Sequence, residues 1–388
     1  MEQKKYKLSF AGIFILNFIF FLSHASINML PSYLKGLGAT NGYIGLFMNI
    51  TSFMLMGYVL FFGKIANTLP RKPVLIAAHL LFVISMGGSF IFHDNLVLLF
   101  MLRITSSISY FFGYTINMNI MYDILPYDKR VRGIAFFGVS GILSNPVGAF
   151  IGENVIKHFD GYALFLSGMI IALFVIVWII VLKIPENIHR NTISEHFITI
   201  IKRTNLKSLI FFSFIYGGAF GVIVSFLPNY TTIKLGKPNL SLFFTTFSIV
   251  AIFFRIVFYK ILEILKYKTL IILSFTTILL SLINLFFLHN DFQLVVTGFL
   301  YGIGHSILFP VLSTQFVNSG EEHEKITLNN TFIAVNVAGN VVFAFILGII
   351  SDFFGLQTIY GIYGIIIFIT LFIAIVIKGY SHSSEEKK

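Results

Sequence analysis

Polar residues are scarce inside the long apolar runs of this chain, and three groups of them recur with helical spacing. Asn17, His24 and Asn28 stand at i, i+7 and i+11; Arg103, Ser106, Tyr110 and Asn117 share one stripe; Tyr301 and His305 are one turn apart. A polar or charged group in hydrocarbon is costly, so each of these is a functional candidate by default. Arg103 is the sharpest. Its guanidinium is charged at any physiological pH and offers a planar fork matched to carboxylate or phosphate. It reads as an anion anchor or an electrostatic control on a proton site. The competing reading is a structural group that caps carbonyls or pairs with Glu153. His24 and His305 carry the one side chain that titrates near neutrality, and the alternative for each is a neutral imidazole in a polar wall. Glu153 lies well inside an apolar run, so it is either a proton carrier or the partner of Arg103.

Other polar residues carry blander expectations. Asp123, Arg255, Glu263 and Asp352 lie nearer the ends of apolar runs and read as gate and turn contacts. His79 and Asn49 are single polar residues on apolar segments, and Tyr216 and Phe220 read as cavity wall. Gly141, Gly148, Gly152, Gly339 and Gly348 are expected to let helices pack closely. The chain has no Cys, which removes disulfides, thiol catalysis and Cys-based metal sites. No Gly-x-x-x-x-Gly-Lys-Ser/Thr loop is present, so ATP is not the direct drive. The short loops hold no cluster of carboxylates or histidines, which argues against an enzyme, and neither a cofactor nor a metal is expected.

What positions these residues is a set of long apolar segments. Of 388 residues, 57% are hydrophobic and 11% charged, against about 25% charged in soluble domains. The chain therefore reads as an all-α integral membrane protein. Its net charge of +11 is spread as a few Lys and Arg at each turn, a distribution that does not fit nucleic-acid binding. Apolar runs fall at about 8–30, 41–63, 73–92, 96–118, 133–156, 162–183, 208–230, 240–262, 268–288, 292–317, 327–351 and 356–378. Each is long enough to cross about 30 Å of hydrocarbon as a helix. The first run is too long for the core of a signal peptide and no small-residue cleavage site follows it, so it is read as a retained helix. The expected organisation is a six-helix bundle over 1–183, a polar loop over 184–207, a second six-helix bundle over 208–378 and a disordered tail over 379–388.

The basic residues orient the chain. With the N-terminus inside, 21 of the 27 Lys and Arg fall on the cytoplasmic side and 4 on the outer side, which fits positive-inside retention. Both termini and the central loop are expected in the cytoplasm, in a multi-pass protein of the plasma membrane. The halves also repeat each other. Leu30-Pro31-Ser32-Tyr33 with Gly38 recurs as Leu227-Pro228-Asn229-Tyr230 with Gly236, and Asn145, Gly152 and Gly161 recur as Asn340, Gly348 and Gly355. Such agreement reads as two copies of one six-helix unit.

The turn between the second and third segments adds a family resemblance. Gly63, Ile65, Ala66, Arg71, Lys72, Val74 and Leu75 resemble the loop between helices two and three of the major facilitator superfamily. Asn67 stands where that pattern has an acid and Pro70 where it has a second Gly. The family acid joins a conformational latch, and Asn67 can hydrogen-bond but carries no charge. Arg103 occupies a position where the family has an Arg, and Pro126, Arg132, Gly133 and Ala135 resemble its next loop. Gly141, Pro146 and Gly148 partly resemble a motif of drug and sugar exporters, with Asn145 in place of a Gly.

The resemblance implies a secondary transporter working by alternating access, with helices 1, 4, 7 and 10 around a central cavity. The expected solute contacts are then Asn17, His24, Asn28, Arg103, Tyr110, Asn117, Tyr216, Tyr301 and His305. His24, Glu153 and His305 are the proton-coupling candidates, and Gly63, Asn67, Arg71 and Lys72 the gate loop. His24, Arg103 and His305 are expected to face one shared cavity. The expectation is proton-coupled efflux of a small amphipathic molecule by a functional monomer; uptake of a small anion is the rival, and a non-transporting sensor a remote third.

Overall fold

A computed structural model describes residues 2–66, 69–125, 130–184, 200–203, 206–257, 265–321 and 324–376. Its first half comprises α1 (Glu2–Ala25), α2 (Leu30–Gly36), α3 (Asn41–Ala66), α4 (Arg71–Ile91), α5 (Leu96–Ile124), α6 (Arg130–His158) and α7 (Ala163–Val181). The second comprises α8 (Lys207–Leu235), α9 (Leu240–Val257), α10 (Tyr267–Phe286), α11 (Asp291–Asn318), α12 (Lys325–Phe354) and α13 (Gln357–Val376). Among the described residues nine spans are long and apolar enough to cross a membrane, and Leu240–Arg255 forms a shorter apolar helix. Phe10–Gly36 counts as one such span although its helix is interrupted, so α1 and α2 are two pieces of a single crossing. Glu263, Asn67, Pro126, most of the 184–207 loop and the tail lie outside the described residues.

The interruption at 26–29 corrects the first expected stripe. Pro31 sits in the first turn of α2, where its missing N–H removes the bond that would carry a helix through residue 27. Residues 26–29 close as tight turns instead, with Asn28 N–H donating to Ala25 O and Leu30 N–H to Ile27 O, both at 3.1 Å. Asn28 therefore lies in the turn between α1 and α2 rather than on α1 with Asn17 and His24. The repeat counterpart Pro228 stays inside the continuous α8.

Helix ends carry the repeat as well. Asn95 accepts from Val97 N–H and Leu98 N–H at the start of α5, and Asn290 with Gln293 makes a capping box at the start of α11. Gly236 ends α8 at φ 73°, and Gly38 beyond α2 adopts φ 84°; this left-handed backbone is strained for any residue with a Cβ.

The halves meet along two seams, α3 against α12 and α6 against α9, with α8 also touching α2 and α3. Backbones approach very closely where glycines allow it. A Cβ on Gly45 would lie 2.3 Å from Ala344 O, and one on Gly217 1.8 Å from Asn336 O. The expected packing glycines behave alike: a Cβ on Gly148 would meet Ala25 at 2.5 Å and one on Gly348 would meet Asn41 O at 2.6 Å. In lipid, where no hydrophobic effect drives helices together, such approach supplies the van der Waals contact.

Candidate functional site

Two polar sets lie in the interior, one in each half. In the first, His24 of α1 stacks among rings, with centroids 4.5 Å from Phe82 of α4, 4.9 Å from Tyr110 of α5 and 5.2 Å from Phe20. Arg103 of α5 is only 5% exposed, with its Cζ 5.7 Å from the centre of the Phe47 ring on α3. Neither ring nitrogen of His24, nor Nε or Nη1 of Arg103, has a hydrogen-bond partner. His79 of α4 completes the edge, its ring 5.7 Å from Phe20. A carbonyl only accepts, so the 2.7 Å contact of His79 Nδ1 with Leu75 O puts the ring proton on Nδ1. Nε2 is then an acceptor, and it has no partner.

Asn17 and Asn117 belong to a neighbouring chain of contacts. Asn117 Nδ2 donates to Asn17 Oδ1 at 3.4 Å, and Asn17 Nδ2 donates to Ser140 Oγ of α6 at 2.7 Å. They tie α1, α5 and α6 together.

In the second set, the Tyr216 hydroxyl of α8 lies 2.5 Å from His305 Nδ1 on α11. Phe247, Phe220, Tyr301 and Phe309 surround that imidazole at ring distances of 5.1 to 6.3 Å. Tyr301 is fully buried and its hydroxyl has no partner. Arg255 of α9 joins this set: its Cζ is 6.0 Å from the Phe309 ring centre and its Nε has no partner. Its Nη1 also reaches the seam, 3.6 Å from where a Cβ on Gly138 of α6 would stand. Sequence reasoning filed Arg255 as an end contact because it lies late in its apolar run. The cost of a guanidinium flanked by Phe253 and Phe254 was the signal that marks it equally with Arg103.

The structure thus groups His24, Arg103 and Tyr110 on one side, and Tyr216, Tyr301 and His305 on the other. Among the described residues no hydrogen bond or ring contact joins the two sets.

Glu153 is not the partner of Arg103. It accepts from Ser241 N–H at 2.6 Å and from the Ser241 hydroxyl, at the N-terminus of α9 across the seam. A similar contact closes the other seam, where Asp352 of α12, about one turn beyond the position that the repeat pairs with Glu153, accepts from Asn41 N–H at 2.7 Å and Gly42 N–H at 3.1 Å at the N-terminus of α3. Lys35 stands 4.0 Å from the same carboxylate. A negative charge at a helix N-terminus satisfies orphan N–H groups and meets the positive end of the helix dipole. Both clasps sit at the end of the bundle that the Lys and Arg bias assigns to the outside, and both join one half to the other.

The gate loop binds differently. Arg71 forms a buried ion pair with Asp123 of α5. Lys72 Nζ donates to Ile180 O at 2.6 Å and Leu182 O at 3.1 Å, capping the C-terminus of α7. Lys268 does the same to Ile375 O at the end of α13. In these contacts the basic residues hold helices of one half together. Gly63 lies in the last turns of α3, and Asn67 lies outside the described residues. No group of three or more His, Asp or Glu able to hold a metal ion occurs among the described residues.

The sequence profile of the Major Facilitator Superfamily matches residues 13–238 and 209–388. The quinolone resistance protein NorA of Staphylococcus aureus (strain COL) is 23% identical over 358 residues, covering 88% of this chain and 90% of that protein. Among solved structures, the nucleoside transporter NupG superposes with a TM-score of 0.79 at 14% identity, over 96% of this chain and 99% of that one. The human organic anion transporter MFSD10 (TETRAN) superposes with a TM-score of 0.69 at 13% identity, over 95% and 99% respectively.

Proposed function

Because the chain belongs to the Major Facilitator Superfamily, we propose that it is a secondary active transporter that exports a small amphipathic solute in exchange for protons. One observation carries the alternating-access part of this reading. Among the described residues the halves meet mainly along two helix pairs, with lesser contacts of α8 to α2 and α3, and at the outer end each main seam carries a carboxylate on a helix N-terminus. Few bonds need to break for the halves to rock apart there, and the interior side chains are then exposed to the other side. The likeness to quinolone resistance proteins supports export. His24, His305 and Glu153 are the groups on which a coupling proton would ride. A proton on Glu153 would remove the negative charge that holds α9, linking protonation to opening.

Uptake of a small anion is the second reading, favoured by the partnerless Nε and Nη1 of Arg103. In either case the protein works as a monomer in the plasma membrane, with both termini in the cytoplasm. The deciding experiment reconstitutes the chain in proteoliposomes, imposes a pH gradient and measures a solute panel in both directions. Export that collapses with the gradient is expected. Solute movement indifferent to the gradient refutes the proton coupling, and accumulation in the opposite sense refutes export.

A further inference from the structure

Charges inside the described spans divide unevenly. Every carboxylate there is committed: Asp123 to Arg71, Glu153 to the start of α9, Asp352 to the start of α3, and Asp291 to Lys237 and Asn239. Glu324, at the start of α12, pairs with Arg203. The bases are not all committed. Arg103 and Arg255 make no ion pair among the described residues, Nε and Nη1 of Arg103 and Nε of Arg255 have no hydrogen-bond partner, and each guanidinium lies over an aromatic face. Each has an imidazole as a titratable neighbour, His24 beside Arg103 and His305 beside Arg255, rather than a carboxylic acid. A buried charge without a counter-charge is strongly unfavourable, and here both half-sites carry the same sign.

We infer that the transported solute is an organic anion with an aromatic body, its anionic group taken by Arg103 in one half and by Arg255 in the other. This rests on the transporter reading and names its solute class. The guanidinium fork suits a carboxylate, sulfonate or phosphate. Phe20, Phe82 and Tyr110 in one half, and Phe220, Phe247 and Phe309 in the other, offer ring faces and edges for a flat apolar body. A cationic solute meets the opposite conditions. Among the described residues no free carboxylate faces either set, and the guanidiniums already occupy the faces of Phe47 and Phe309 that a cation would seek.

The two cations also differ in depth. Arg103 is seven residues into α5 and Arg255 fifteen into α9, so they lie ~10 Å and ~22 Å from the outer end at 1.5 Å per residue. The anion therefore finds a cation both near the outer clasps and deeper toward the inner end.

The test pairs two dyes that share a xanthene ring, carboxyfluorescein as anion and rhodamine 6G as cation. Binding to the purified full-length chain is read by fluorescence anisotropy, and movement of the same dyes is read in proteoliposomes. The anion is expected to bind saturably and the cation not to compete. Arg103→Gln and Arg255→Gln are each expected to weaken anion binding tenfold or more, with an unchanged thermal midpoint reporting an intact fold. Should a Gln variant not fold, the Lys variant decides: weakening of threefold or more supports the inference and unchanged affinity overturns it. Preferential binding of the cation, binding of neither dye, or wild-type anion affinity in both Gln variants also overturns it. Arginine-dependent anion binding without movement in either direction leaves the solute class standing and removes the transporter reading. Anion transport indifferent to both arginines does the reverse.

Discussion

Removing the outer clasps should open the outer end by an amount that can be worked out bond by bond. Glu153 receives two hydrogen bonds from Ser241, and Asp352 receives two from the first residues of α3. A hydrogen bond to a charged group contributes about 1.5–3 kcal/mol, and the helix dipole adds about 0.3–1 kcal/mol. Asp352 is 24% exposed, so water replaces part of what is lost, and about 1–3 kcal/mol per clasp is a fair estimate. At 1.4 kcal/mol per factor of ten, Glu153→Ala or Asp352→Ala should shift the closed-to-open ratio about five- to hundredfold. The clasps close different seams, so the double variant should combine both shifts. The chain has no native Cys, so spin labels placed on Phe159→Cys and Phe292→Cys report distance without background. Both positions are exposed, at 68% and 73%, one in each half at the outer end. Loss of the short-distance population is expected, larger in the double variant than in either single one. An unchanged distance distribution in the double variant would refute the clasp reasoning.

Three further outcomes are expected. Reporter fusions at residues 195 and 235 should fall in opposite compartments, and finding both on one side removes the orientation derived from the Lys and Arg bias. Arg71→Ala strips the guanidinium from a buried carboxylate at Asp123 and should cost about 3 kcal/mol, read as a lower thermal midpoint that Asp123→Asn partly restores. Gly217→Ala places a Cβ 1.8 Å from Asn336 O on α12, a backbone atom that cannot swing aside. It should destabilise the second half by at least about 1–3 kcal/mol, and a wild-type thermal midpoint would contradict the close α8–α12 packing.

Several site features were legible residue by residue. The helical spacing of Arg103 and Tyr110 does bring them to one face beside His24, because α5 is a single unbroken helix. The spacing of Tyr301 and His305 likewise survives in α11. Asn28 falls in a turn because Pro31 breaks the first crossing, an effect that a periodicity count ignores. The same dipeptide in α8 leaves the helix intact, so the sequence alone did not say which copy would break. Glu153 shows the deeper limit. Its place inside an apolar run made Arg103 one candidate partner, yet the donor it meets, Ser241, is 88 residues away on a helix of the other half.

What the sequence determined by itself is the class and its symmetry. Composition places the chain in a membrane, segment lengths match the hydrocarbon thickness, and Pro, Gly and Asn positions recur between its halves. These properties are sums over local stretches, so local physics decides them. What only the tertiary structure decided is which charges meet. Among the described residues, pairing Glu153 with α9, Asp352 with α3 and Arg71 with Asp123 is what leaves Arg103 and Arg255 over. That remainder depends on how helices far apart in sequence are placed side by side. A buried charge is balanced or unbalanced only with respect to neighbours in space, and no spacing along the chain encodes that directly.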